Sequence, residues 1–222
     1  MAVISIEIIS DVICPWCYIA SHNLQKAITF YKKTYPGGSK DIFTINWHPY
    51  FIDEVPPPKS ILVQDRMLRR MTPEQVSAAQ TRLTRVGAAS GIQFKFGGYI
   101  GSSRLAHRLL HIVRERKGSE VQDRLAEMLF HYQFEREADV SQVDVVVEAG
   151  GRVGLGEEEV REWLAGDEGV KETEEQGRRA RDAGVKGVPH IIVGGQYQFD
   201  GALDMSEFFE AVVQARQSSL SQ

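Results

Sequence analysis

Two cysteines occur in the 222 residues of this chain, and they are adjacent in function as well as in number: Cys14-Pro15-Trp16-Cys17. Two intervening residues bring a pair of thiols close enough to close a small disulfide and reopen it, which is redox chemistry. The pair falls where a strand-like run, Val3-Ile4-Ser5-Ile6-Glu7-Ile8-Ile9, gives way to a helix-like one. A helix N-terminus favours a thiolate on the first cysteine. Pro15 suits that first turn, where a missing N–H costs nothing. A structural zinc site wants four ligands, and the chain has no second Cys-x-x-Cys to complete one. His107 and His111 are one helical turn apart but lack a third ligand, so no metal is expected.

The elements that must position this pair can be read from composition and periodicity. Hydrophobic residues make up 42% of the chain and charged residues 25%, with a net charge of −4. That supports one substantial core and gives no electrostatic case for nucleic acid or an anionic membrane. The apolar runs are too short to span a bilayer. Met1-Ala2-Val3-Ile4-Ser5 lacks the basic region of a secretion leader, and Leu220-Ser221-Gln222 matches no peroxisomal or retention signal. The expected location is therefore cytoplasmic, where a two-cysteine motif is catalytic rather than a permanent staple.

From Pro15 to Tyr35, Tyr18, Ile19, Leu24, Ala27, Ile28 and Tyr31 recur at helical spacing, and Pro36-Gly37-Gly38 ends the run. Ile42 to His48 then alternates, with Phe43, Ile45 and Trp47 on one face. Strand, helix and strand make a right-handed βαβ unit with parallel strands. Pro56-Pro57-Pro58 breaks the pattern. Beyond it, Thr72-Pro73-Glu74-Gln75 reads as a capped helix start, and helical segments follow at about 102–118, 120–134, 142–149, 157–164 and 168–183. Strands return only at Val188-Pro189-His190-Ile191-Ile192-Val193, then Gly194-Gly195, then Gln196-Tyr197-Gln198-Phe199, which reads as a hairpin on a two-residue glycine turn. Asp204 caps a last helix bearing Phe208, Phe209, Val212 and Val213. The fold class is α/β: a thioredoxin fold with a large all-helical insertion between its βαβ and ββα halves. Residues 1–55 and 185–222 form the thioredoxin-like part, and 56–184 the helical insertion.

This architecture, with Cys14-Pro15-Trp16-Cys17 and Gly187-Val188-Pro189, resembles the DsbA-like thioredoxin superfamily and within it the FrnE branch. That branch neighbours the kappa-class glutathione transferases and the 2-hydroxychromene-2-carboxylate isomerases. Asp11-Val12-Ile13-Cys14-Pro15-Trp16-Cys17-Tyr18-Ile19 is similar to the family's active-site turn, Ala106-His107-Arg108-Leu109 to its insertion signature, and Phe199-Asp200-Gly201-Ala202 to the segment after its hairpin. The resemblance implies that Cys14 is the nucleophile and Cys17 resolves the mixed disulfide. It implies a cis Val188–Pro189 bond that exposes Val188 backbone groups to an extended thiol substrate, whereas the residues alone allow a trans proline entering an edge strand. Trp16, Val188, Pro189, Gly201 and Ala202 are the implied substrate-binding residues.

Two positions depart from the pattern. Many thioredoxin-like oxidoreductases carry a buried carboxylate six residues before the first cysteine, where this chain has Ile8, and Glu7 should point to the opposite face of the strand. Gly101-Ser102-Ser103 stands where relatives often carry an Asn-Thr pair. Phe94, Phe96, Tyr99 and the 102–107 stretch are candidate walls for a cleft roofed by the insertion. His190 and His22 read as structural and surface residues, and Glu157-Glu158-Glu159 and Arg178-Arg179-Arg181 as solvated helix faces. Both cysteines being present, the expected function is thiol–disulfide exchange on protein or small-molecule disulfides. The alternative is a glutathione-dependent isomerase or transferase acting on an aromatic or polyketide-like small molecule. No tightly bound cofactor is expected, glutathione is a candidate co-substrate, and a homodimer is left open.

Overall fold

Strand β1 (Val3–Ser10) alternates so that Ile4, Ile6, Ile8 and Ser10 are buried, and the sheet is built outward from it. The computed structural model describes residues 1–220, so the reading of the last three residues falls partly outside it, at Ser221 and Gln222. After β1 come α1 (Pro15–Thr34) and β2 (Ile42–Pro49), and then β3 (Ile61–Leu62), α2 (Val63–Leu68), α3 (Pro73–Ser90) and β4 (Tyr99–Ile100). Five helices follow: α4 (Arg104–Lys117), α5 (Ser119–Phe134), α6 (Val143–Arg152), α7 (Glu157–Ala165) and α8 (Val170–Asp182). The chain closes with β5 (His190–Val193), β6 (Tyr197–Asp200) and α9 (Met205–Leu220).

The main sheet has the order β2-β1-β5-β6. β1 runs parallel to β2, from Val3 opposite Ile42 to Ser10 opposite Pro49, and antiparallel to β5, with Ile6 opposite Val193 and Ile9 opposite His190. Gly194 and Gly195, at left-handed φ values of 60° and 71°, begin the loop that turns β5 into β6; because Val193 pairs with Tyr197, that loop has three residues, 194–196, and not the expected two. This is the thioredoxin arrangement, a βαβ half and a ββα half sharing one sheet.

Helix boundaries follow the capping chemistry. Thr72 Oγ1 accepts from the Gln75 N–H at 3.4 Å while Gln75 Oε1 accepts from the Thr72 N–H at 2.9 Å, a reciprocal box at the start of α3. Asp204 and Glu207 exchange the same pair of bonds at 2.9 and 2.8 Å before α9. At the other end of the insertion, buried Arg108 on α4 donates to the carbonyl oxygens of Trp163 at 2.8 Å, Leu164 at 3.3 Å and Gly166 at 2.6 Å. It thereby satisfies the orphan carbonyls that end α7.

The insertion is not all helix. β3 and β4 pair antiparallel, Ile61 opposite Ile100 and Leu62 opposite Tyr99, and α2 occupies a stretch where no element was expected. Two-residue strands and a six-residue helix are too short to leave a periodic signature. α1 packs on α9, while α4, α5 and α8 pack against β2. Ile4, Ile6, Leu24 and Phe208 belong to the same buried cluster as Leu109, Leu129 and Phe130, so sheet and insertion share one continuous core.

Three other expectations change. Phe94 is no cleft wall: it is buried against Tyr18, Phe96 and Phe134, with ring centroids 6.2, 6.4 and 5.5 Å away. Tyr99 and Ser102 line a separate cavity of about 710 Å³ with Pro57, Pro58 and Asp139. His22 is half-buried and ties α1 to its neighbours through Ser90 O at 3.0 Å and Glu127 Oε2 at 3.3 Å. Arg178 and Arg179 are exposed, but Arg181 bonds to Phe51 O and lies over the Tyr50 ring at 4.7 Å.

Candidate active site

β1 delivers the chain to a tight turn, Asp11 to Cys14, closed by the Cys14 N–H donating to Asp11 O at 2.9 Å. Cys14 is then the N-cap of α1, with an extended φ of −100°, and no side chain caps the helix in its place. Its carbonyl accepts from the N–H groups of Cys17 at 3.1 Å and Tyr18 at 3.4 Å. Both sulfurs are free thiols. Both are buried, Cys14 at 5% exposed and Cys17 at 0%, so the first is the more accessible of the two.

The two thiols differ in acidity. Hydrogen bonding from the Cys17 side chain lowers the Cys14 pKa, with help from the Cys17 and Trp16 N–H groups of the first helical turn, and these outweigh burial and the Asp11 charge. Burial pushes Cys17 well above the ordinary thiol value, and the hydrogen bond and charge of Cys14 push it further. Cys14 is thus the more acidic thiol of the pair, and Cys17 holds its proton.

The late strands close over the first cysteine. Val188–Pro189 is a cis peptide, and Val188 O lies 3.6 Å from Cys14 Sγ. The Gly201 N–H donates to Pro189 O at 2.8 Å, so the segment after the hairpin is bonded to the proline loop. Residues 183–190 line a cavity of about 910 Å³ with Ile9, Gln198, Asp200 and Gly201. Ala202 is not among its lining and packs partly buried on the core. Trp16, between the cysteines, is partly buried beneath the Arg82 guanidinium of α3, 4.7 Å from the ring centroid. His190 pairs with Asp200 on the neighbouring strand at 2.8 Å.

Two functional candidates were underweighted by the sequence. Asp11, in sequence only the first residue of the active-site stretch, is fully buried in the Cys14 turn, and His107 from α4 faces it at 3.3 Å. Arg82 carried no motif at all; only tertiary packing brings α3 to Trp16. Glu7, by contrast, bonds to Asn46 at 2.9 Å and His48 at 2.7 Å on β2, and the His48 bond holds its carboxyl below the usual range. Among the described residues, no group of three or more His, Cys, Asp or Glu side chains could hold a metal ion.

Residues 5–213 match the family model of the DSBA-like thioredoxin domain. A comparison with curated protein sequences gives no significant match. Among solved structures, a probable DsbA oxidoreductase from Streptomyces coelicolor superposes with a TM-score of 0.83 at 27% identity, over 96% of this chain and 89% of that one. A 2-hydroxychromene-2-carboxylate isomerase superposes at 0.68 and 15% identity, over 98% and 99% of the two chains. The cytosolic disulfide reductase DsbM of Pseudomonas aeruginosa, solved with GSH, gives 0.59 and 15% over 98% of each. The last two likenesses concern the fold.

Proposed function

This chain belongs to the DSBA-like thioredoxin domain family, and we propose that it is a disulfide oxidoreductase that passes electrons between the Cys14–Cys17 dithiol and protein or small-molecule disulfides. The observation that carries this reading is the placement of the pair: Cys14 is the N-cap of α1 with Val188 O of the cis-proline loop 3.6 Å from its sulfur, and Cys17 is fully buried one turn in. The split in acidity between the two thiols accords with it. An attacking thiol needs thiolate at neutral pH; a resolving thiol needs to wait.

The steps follow from that split. Cys14 thiolate attacks one sulfur of a substrate disulfide. That S–S bond breaks, the leaving sulfur departs as a thiolate and takes up a proton, and Cys14 is left in a mixed disulfide. Cys14 then carries no charge, so one of the influences holding the Cys17 proton disappears. Cys17 loses its proton and attacks Cys14 Sγ, releasing the second substrate thiol and closing the Cys14–Cys17 disulfide. Two electrons have moved to the substrate. Two molecules of glutathione, becoming glutathione disulfide, would return the dithiol; run in reverse, the same steps oxidise a substrate.

Val188 backbone groups, Pro189 and Gly201 form the substrate side of the reading, and Trp16 joins them as the residue between the two cysteines. Its support is the contact of Val188 O with Cys14 and the cavity along residues 183–190. Glutathione as co-substrate and a cytoplasmic setting draw support from the DsbM likeness, a cytosolic enzyme solved with GSH. Among the described residues, no helix is long and apolar enough to cross a membrane.

Single Cys14→Ser and Cys17→Ser variants, assayed for disulfide reduction and for glutathione-dependent turnover of a chromene-carboxylate substrate, test the proposal. Loss of disulfide reduction in both is expected. Undiminished isomerase turnover in Cys17→Ser, with no disulfide reduction by the unaltered chain, would overturn it in favour of glutathione-dependent isomerisation.

A further inference from the structure

Behind the Cys14 turn sits a buried acid that the exchange steps do not use. Asp11 is 0% exposed and the His107 side chain that meets it is 3% exposed. Asp11 Oδ1 accepts from the Ile13 N–H at 3.3 Å and faces His107 Nε2 at 3.3 Å, while Oδ2 accepts from the Ile52 N–H at 2.8 Å. The carboxylate thus binds the active-site turn to the segment after β2. The Phe51 ring stands edge-on to the imidazole, 5.6 Å between centroids.

A carboxylate in this place does two things to its neighbour. Its hydrogen bonds shape the turn that presents Cys14. Its charge opposes a second negative charge close by, and in a dry interior that opposition is strong. A thiolate at Cys14 therefore needs something that keeps the Asp11 bonds and blunts the Asp11 charge. His107 is the one cationic or N–H-bearing side chain bonded to that carboxylate among the described residues.

We propose that His107 is a positioning residue for Cys14: reaching in from α4, it holds the Asp11 carboxylate in the turn and offsets its charge, so that a thiolate can form in front of a buried acid. The proposal rests on Cys14 as the nucleophile. His107 Nε2 also lies 3.4 Å from the Val12 N–H. One nitrogen cannot donate to Asp11 and accept from Val12 together, so the ring has two states. With the proton on Nε2 it supports the carboxylate; without it, it takes up the Val12 N–H and leaves Asp11 with its two main-chain donors. The turn before the nucleophile registers which state is occupied. Besides Asp11, the charged and titratable groups facing His107 are Glu7, His48, His111, Arg114 and Glu115, which share with it a polar cavity of about 330 Å³.

The test reads Cys14 ionisation rather than turnover, so that failure here leaves the exchange reading standing. The pH dependence of Cys14 alkylation, followed by peptide mapping of the full reduced chain, is compared across three variants. His107→Gln keeps an N–H donor but not the imidazole: its Cys14 midpoint should move up, with alkylation below the midpoint slowed by about threefold for a shift of half a pH unit. Asp11→Asn should move the midpoint down. Asp11→Asn/His107→Gln should match Asp11→Asn alone, because no charge remains to offset. An unchanged midpoint in His107→Gln, or an equal shift from His107→Gln in both backgrounds, would overturn the proposal. Should circular dichroism show that His107→Gln does not fold, the unaltered chain decides. Methylation of Cys14 should then shift the ring ¹⁵N signals of His107 more than those of His22, and an equal or absent shift counts against the proposal.

Discussion

Cys14 Sγ and the carbonyl oxygen of Val188 lie 3.6 Å apart across a separation of 174 residues. The S–H can donate to that oxygen, whereas a thiolate cannot and is repelled by it. Ionisation of Cys14 therefore releases the Val188 carbonyl at the moment the sulfur becomes reactive. An extended substrate backbone can take up the freed acceptor with its own N–H.

The first expectation concerns selective alkylation. Because hydrogen bonding from Cys17 lowers the Cys14 pKa while burial raises that of Cys17, iodoacetamide near pH 7 should label Cys14 and spare Cys17. Peptide mapping after a short pulse gives the ratio. Predominant labelling of Cys17 would reverse the two roles.

A second expectation follows from the waiting thiol. Cys17→Ser should accumulate a mixed disulfide between Cys14 and its substrate, since no second sulfur is present to release it. Intact mass measurement after mixing with glutathione disulfide should show the chain plus one glutathione. Cys14→Ser should show none, and the same adduct there would argue that Cys17 attacks first.

Much of this site is legible in the sequence, and what is not has a physical reason. Cys14 and Cys17 declare themselves because local chemistry fixes them, a close thiol pair at a helix start. The reciprocal cap at Thr72 and Gln75 is legible for the same reason. The cis Val188–Pro189 bond is not, since the residues alone allow a trans proline and the resemblance implied the cis one. Asp11 and His107 are not, because their meaning lies in a contact 96 residues long, which no local pattern encodes. Arg82 is an ordinary helix-surface arginine until α3 lays it over Trp16. Phe94 misleads in the opposite direction, since an aromatic that could line a cleft also fills a core, and here it fills the core.

Arg108 gives a stability prediction. Arg108→Met keeps much of the buried volume but strips three carbonyls at the end of α7 of their donor. A loss of about 3 kcal/mol is expected from removing charge-assisted bonds to buried acceptors. Urea denaturation measures it, and a change below about 0.5 kcal/mol, the level of a neutral surface substitution, would mean that the cap is idle.

Asp123 gives a pH prediction. Burial raises its pKa to about 6, against a Trp47 indole bond that lowers it and a Glu127 charge that raises it further. A carboxyl raised in the folded state contributes stability that is fully present below its unfolded value of 3.8 and is lost as pH climbs through about 6. Asp123→Asn should therefore gain on the unaltered chain between pH 4 and 7, by on the order of 1 kcal/mol once partial exposure is allowed for. Thermal melts across that range show the crossing, and the Trp47 Nε1 proton, 2.9 Å from Asp123 Oδ1, should shift with the same midpoint. A gap between the two melting curves that stays constant with pH would remove Asp123 from the account.

A chain leaving the ribosome makes its nucleophile first and part of that nucleophile's setting last. Cys14 and Cys17 emerge together with the Asp11 turn and the start of α1, while β5, which pairs with β1 to complete the middle of the sheet, comes from residues 190–193 of 222. Until the proline loop ahead of that strand is in place, Cys14 has no Val188 carbonyl before it. The dithiol is thus made early, and the acceptor that faces its first sulfur arrives 174 residues later, near the end of the chain.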